Sequence, residues 1–268
     1  MAVRRVVMMT DMEGAAGVTS FEDQGHATGR YYEAARRIVT AEVNAAVEGL
    51  LDSGVEEILV IDGHGPGAIH FESLHPQARL MHGRPIALAA ECAKILPGCD
   101  ATCLVGQHAR CGVADGTMNH TQSSATIEHY SLNGTEIGET AQWALFSGSF
   151  GVPTIFLSGD DAACREASDL IPGITTAAVK QGLSRSAAIS LAAGKAHELI
   201  RSQIRAAVER HNREPIAPLV WPGPYVLEKR FLFTNAVDGY RGHRLLHRIV
   251  DARTVQLAAD DIREIIYA

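Results

Sequence analysis

Alternation constrains this fold more than any other feature of the chain. Short apolar, β-rich runs that end in glycine and polar residues are followed repeatedly by longer stretches with helical periodicity. "VRRVVMMTD" runs into Met12-Glu13-Gly14, and "RYYEAARRIVTAEVNAAVEGLLDSG" follows with apolar residues at three- and four-residue steps and a closing glycine. "EEILVIDGHG" repeats the strand-then-glycine pattern, "RPIALAAECAKIL" reads as helix, and "ATCLVGQHARCG" gives a third strand ending. Next come a hairpin in "ATIEHYSLNGTEIGE" around Asn133-Gly134 and a helix from about Gly138 to Ser147. A buried strand in "PTIFLSGD", a helix opened by Asp160-Asp161, a strand in "TTAAVKQG" and one long helix over "SRSAAISLAAGKAHELIRSQIRAAVERH" complete this part. The expected class is α/β, a mostly parallel sheet covered by helices.

The texture changes at "NREPIAPLVWPGPY", where four prolines from Pro215 to Pro224 mark a connector. Beyond it lie a strand in "YVLEKRFLF", a polar stretch, a strand in "TVQLAA" and a short helix in "DDIREIIY". The expected division is an α/β domain over 1–215 and a small α+β extension over 216–268, with the hairpin near 125–137 packing on the extension.

Composition removes several function classes. With 268 residues, 46% of them hydrophobic, the chain can bury a sizeable core. No apolar run approaches the roughly 18 to 20 residues of a membrane span. A formal charge of -7 disfavours nucleic acid as partner, since phosphate binding wants clustered Lys and Arg. Five cysteines without a CxxC pair indicate neither a disulfide framework nor a thiolate zinc knuckle. The expected compartment is the cytoplasm, with the amino-terminal arginines read as part of a first strand.

Asp11 and Glu13, two residues apart at a strand end, point the same way and repel unless something positive or water lies between them. Ligands of parallel α/β sheets bind beyond the carboxyl ends of the strands. Three such ends deliver Asp11 and Glu13, Asp62 and His64, and His108. Carboxylates and imidazoles from separate strands form an oxygen and nitrogen donor set suited to zinc or manganese. Glu139, opening the helix after the hairpin, is a fifth donor for the same crevice. Five donors with one bridging carboxylate suit two metals roughly 3.5 to 4 Å apart. Asp62 is either a partner that orients an imidazole or a turn former, and each residue taken alone has a structural reading. Lys180 and Arg185 are candidates for binding a ligand carboxylate, with a structural role preferred for both. The segment "FEDQGHATGRYYEAARR" is a candidate lid.

In order and spacing, "TDMEG", "DGHG", "GQHAR", "GTMNH" and "IGETA", followed by "LSGDD" and "TTAAVKQGLSRSAA", resemble the zinc-dependent D-aminopeptidases of the dipeptide-transport type. The likeness covers the chain up to the proline-rich connector and thins beyond it. It implies two zinc ions per chain held by Asp11, Glu13, His64, His108 and Glu139, with Asp11 bridging. It also implies His120 as the catalytic residue, a short peptide as substrate, and a homo-oligomer, specifically a decamer. The family proposal makes His120 a nucleophile; acid–base chemistry favours a proton-transfer role, because imidazole titrates near neutral pH and activated water makes an acyl intermediate unnecessary. Two other readings stand beside an aminopeptidase for D-amino-acid peptides: a dinuclear hydrolase of another small amide, and a non-catalytic metal- or peptide-binding subunit.

Overall fold

The computed structural model describes residues 2–85 and 88–268. Its first four strands are β1 (Arg5–Thr10), β2 (Glu57–Asp62), β3 (Ala78–Met81) and β4 (Ala101–Gln107). The chain then leaves for a second sheet through β5 (Ile127–Leu132) and β6 (Thr135–Glu136), and returns as β7 (Thr154–Asp160), β8 (Thr175–Ser184) and β9 (Ala187–Ser190). The first sheet has the order β3-β2-β1-β4-β7-β8-β9 and is parallel except for its β8/β9 edge. β4 and β7 are buried along their whole length, as strands covered on both faces must be.

Helices α1 (Tyr32–Asp52), α2 (Leu88–Ile95), α3 (Glu139–Gly148), α4 (Asp161–Leu170) and α5 (Ala193–Arg213) accompany this sheet. α1 and α5 pack on one another, and α3 packs on β4, β7 and α4. In α5 the stripe Ala196, Ile200, Ile204, Ala207 and Val208 is buried at helical spacing. Asp160 caps α4 by accepting from the Ala163 N–H at 2.8 Å.

The second sheet is antiparallel, in the order β11-β12-β10-β5-β6, with β10 (Tyr225–Phe231), β11 (Leu246–Asp251) and β12 (Thr254–Ala259). Its β5–β6 turn has φ of 50° at Asn133 and 81° at Gly134, both in the left-handed region that a tight two-residue hairpin requires. Asn133 also accepts from the Val226 N–H at 2.7 Å, which locks the hairpin against β10. The short helices α6 (Asn235–Asp238) and α7 (Ile262–Ile265) complete the chain.

The single long helix expected from Ser184 onward is corrected. Residues Ala187–Ser190 form the edge strand β9, antiparallel to β8, and the helix begins only at Ala193. Main-chain pairing with β8 outweighs the helix preference of the alanines. β3, β11 and the π-helical turn Phe21–Gly25 carry no sequence signal strong enough to read.

The strand order reverses at β1: successive strands run outward to β3 on one side and to β8 on the other. The crevice beyond the carboxyl ends of β2, β1 and β4 is therefore the topological switch point of the sheet.

Candidate metal centre

The backbone brings the three strand endings close together. Gly14 and Gly106 lie where the loop after β1 meets the end of β4; a Cβ on Gly14 would run into the Gln107 backbone, and one on Gly106 into the Asp11 backbone. Gly106 has φ of 78°, so it meets both demands, left-handed backbone and no side chain. The Asp11 N–H donates to the Val105 carbonyl at 2.9 Å and the Gly14 N–H to the Gly106 carbonyl at 2.8 Å. The acids after β1 are thereby pinned to the strand that ends at His108.

All six residues singled out in the sequence converge here. Asp11 directs Oδ1 to His64 Nδ1 at 3.2 Å and Oδ2 to His108 Nε2 at 3.1 Å. Glu13 Oε2 is 3.1 Å from His64 Nδ1. Glu139 Oε1 is 3.6 Å from His108 Nε2 and 3.8 Å from His120 Nε2. The His108 and His120 rings stack with centroids 4.0 Å apart. Two donor groups suit a metal, Asp11 with Glu13 and His108, and His108 with His120 and Glu139. His64 joins the first of them from the far side.

Each imidazole is held by a backbone carbonyl on the nitrogen that faces away from the acids. His64 Nε2 meets the Gly25 carbonyl at 2.8 Å, His108 Nδ1 the Ala109 carbonyl at 2.9 Å and His120 Nδ1 the Met118 carbonyl at 3.0 Å. Those nitrogens carry the protons, so in the neutral rings the opposite lone pairs aim at carboxylate oxygens. Acceptor facing acceptor is repulsive unless a cation or an extra proton lies between. His108 Nε2 is buried without a hydrogen bond, a lone pair that a metal ion on these donors would satisfy. Burial would push His64 and His108 down, but Glu13, Asp11 and Glu139 outweigh it and hold both well above the usual imidazole range. Burial would likewise raise Asp11, but contacts with His108 and His64 hold it well below the ordinary carboxylate value. The pocket thus demands positive charge, and divalent ions on these oxygen and nitrogen donors fit the demand.

The surroundings fix this geometry. His120 sits between Met118 with φ of 53° and Gln122 with φ of 64°, a local strain of the kind stored at functional sites. The Phe21 ring stands edge-on to His120 with centroids 5.5 Å apart. Glu139 begins α3 and accepts from the Gln122 N–H at 2.7 Å. Asp62 does not orient an imidazole. Its carboxylate accepts from the Ala68 and Ile69 N–H groups at 2.8 and 3.2 Å and shapes the turn after His64.

Lys180 is structural. It is buried, and its ammonium donates to the Glu13 carbonyl and, at 2.5 Å, to that of Val18. Burial pushes it down to about 8, against the opposing charges of Asp160, Glu42 and Glu13. Arg185 lies over the Phe21 ring at 4.9 Å, outside the cavity lining.

A cavity of about 420 Å³ opens onto the cluster, lined among others by Met9, Phe21, His26, Leu104, Gln122 and Trp143. Tyr267, from the far end of the chain, also lines it, and no motif marked that residue beforehand.

The chain is similar to known proteins over nearly its whole length. Residues 4–268 match the model of a family described as D-aminopeptidase. The chain belongs to the D-aminopeptidase family. It is 34% identical over 232 residues to the D-aminopeptidase of Bacillus subtilis (strain 168), an alignment covering 85% of this chain and 81% of that protein. Its fold matches that of the solved "Zn-dependent D-aminopeptidase DppA from Bacillus subtilis, a self-compartmentalizing protease" with a TM-score of 0.89 and 30% identity, over 98% of this chain and 94% of the other. Family membership makes the chain a peptide hydrolase, and the resemblance read from its motifs extends through the C-terminal part as well.

Proposed function

We propose that the chain is a dinuclear zinc aminopeptidase that removes the N-terminal residue of short peptides containing D-amino acids. The observation that carries this reading is the Asp11 carboxylate, with one oxygen 3.2 Å from His64, which Glu13 also meets, and the other 3.1 Å from His108, which Glu139 approaches. In this reading Asp11, Glu13, His64, His108 and Glu139 would hold two zinc ions, with Asp11 shared between them. The zinc dependence named for the Bacillus relative supports the choice of metal.

When bound, such ions supply Lewis acidity to the scissile carbonyl and acidify water. His120 moves the protons. Its Nδ1 is committed to the Met118 carbonyl, which leaves Nε2 as the basic atom at the cavity wall. From there it takes a proton from water and returns it to the departing amine. His120 is less buried than His108 and lies farther from Glu139, which favours this role over that of a sixth ligand.

The same proposal takes the chain as a homo-oligomer, a decamer by family resemblance. Leu183, Ile189 and Leu191, exposed on and beside the β8–β9 edge, support an association surface. The 1–215 part is taken as catalytic and 216–268, joined by the hairpin near 125–137, as the extension. The second sheet, built from β5, β6 and β10–β12, supports that grouping. Free thiols at all five cysteines suit the cytoplasm, and no described helix is long and apolar enough to cross a membrane.

Release of free amino acid from D-Ala-D-Ala and L-Ala-L-Ala, with zinc-loaded and chelated samples, tests the reading. Chelator-sensitive turnover of the D-peptide is expected. Turnover of neither peptide by protein carrying about two metals per chain points to the hydrolysis of another amide.

A further inference from the structure

A second cavity of about 510 Å³ adjoins the first and shares Gly63, Leu88, Gln122 and Tyr267 with it. Arg84 lines only the second. Its Nε donates to the Gly65 carbonyl at 2.9 Å, Nη1 to Gly83 at 2.8 Å, and Nη2 to Asp62 at 3.0 Å and to His64. Four of its N–H donors are thus spent on main-chain carbonyls, which lock the guanidinium in place without neutralising it. Among the described residues no carboxylate pairs with it. Its fifth donor and its full charge stay available at a fixed point on the cavity wall.

Tyr267 stands at the junction of the two cavities, its ring edge-on to Phe146 with centroids 5.5 Å apart. The phenol makes no side-chain hydrogen bond among the described residues. Burial first, and then the neighbouring Cys92, Glu139 and Tyr130, raise it well above the usual tyrosine range, so it stays neutral and able to donate.

We propose that Arg84 and Tyr267 form a subsite for the C-terminal carboxylate of a short peptide whose scissile amide lies at the cluster of Asp11, His64 and His108. Arg84 bonds the carbonyl of His64 itself, so the fixed charge lies within reach of a peptide only a residue or two long, at about 3.3 to 3.8 Å per residue. A carboxylate is the one terminal group that gains from both a cation and a neutral hydroxyl donor. The inference rests on the aminopeptidase reading and narrows its substrates to peptides with a free carboxyl end.

The test compares D-Ala-D-Ala with its C-terminal amide on zinc-loaded wild type, Arg84→Met, Arg84→Lys and Tyr267→Phe, with bound metal measured for each. Wild type should favour the free acid in kcat/KM by roughly 10- to 100-fold, the worth of a charged hydrogen-bonded contact. Arg84→Met should bring that ratio near one, Arg84→Lys should keep part of it, and Tyr267→Phe should lower it several-fold at unchanged metal content. A purely structural role for Arg84 would lower both rates together and leave the ratio standing. Equal wild-type rates on acid and amide, or an undiminished ratio in both Arg84→Met and Tyr267→Phe, would sink the subsite while the peptidase reading survives. Absence of turnover on either substrate by metal-replete wild type would remove the peptidase reading and the subsite with it.

Discussion

His120 and Asp11 do different work, and single substitutions separate them. On the proposed proton-transfer role, His120→Ala should lower turnover about 10²- to 10⁴-fold with metal content retained. Asp11→Ala removes a carboxylate whose two oxygens meet His64 and His108, so metal and turnover should vanish together. Metal analysis of both purified variants beside a rate assay decides the matter, and retained metal in Asp11→Ala would refute the bridge. Lys180→Met is a subtler case. The ammonium holds the Glu13 and Val18 carbonyls, and its loss should loosen Glu13 and weaken metal binding about 10- to 100-fold, measured by competition with a chelating indicator. Asp11, Glu13, His64 and His108 were legible because polar residues at the ends of apolar strands have few places to go; Glu139 was read from its place at the start of a helix, and His120 only through the resemblance of its motif. The structural role preferred for Lys180 agrees with its buried contacts, while Arg84 was not legible, because what matters is which carbonyls its tip reaches after the chain has folded.

At the level of elements, the long apolar strands and periodic helices were plain to read, while the short edges were not. β3 has four residues and none fully buried, and β11 is almost wholly exposed, so neither shows the alternation that marks a strand. β9 was hidden by alanines, whose helix preference is overruled by the ladder to β8. The close meeting of the loop after β1 with the end of β4 was foreshadowed only by glycines. It yields a direct test. Gly106→Ala places a side chain on a left-handed residue and against the Asp11 backbone, and should cost about 1 to 3 kcal/mol in urea unfolding. Metal binding should weaken in parallel, since the same contact sets Asp11. An Ala variant with wild-type stability and metal affinity would mean that the strand endings adjust freely, contrary to the geometry.

For the molecule as a whole, the second sheet is tied through its buried Lys229 to the residue that follows the cavity-lining Tyr267. The ammonium donates to the Tyr240 hydroxyl at 2.8 Å and to an oxygen of Ala268, and it lies 5.1 and 5.2 Å from the Tyr130 and Tyr240 rings. It thereby fixes the neighbour of Tyr267. Burial pushes this lysine from 10.5 down to about 8. Above about pH 8 the folded protein releases the proton while the unfolded chain keeps it until about 10.5, so the unfolded state binds more protons across that window. Stability therefore rises with pH from about 8 toward 10.5, by at most about 3 kcal/mol from this group. Lys180, also near 8, adds a slope of the same sign, so the control is Lys229→Met, which should remove only its own share. Urea unfolding of metal-free protein at several pH values between 7.5 and 9.5 should show a steeper rise for wild type than for the variant. Equal slopes would mean that Lys229 is hydrated and that the second sheet holds the end of the chain by apolar packing alone. In that case Lys229→Met should also leave the acid-to-amide preference untouched. A parallel loss of slope and preference would tie the burial of one lysine on the second sheet to the substrate cavity of the first.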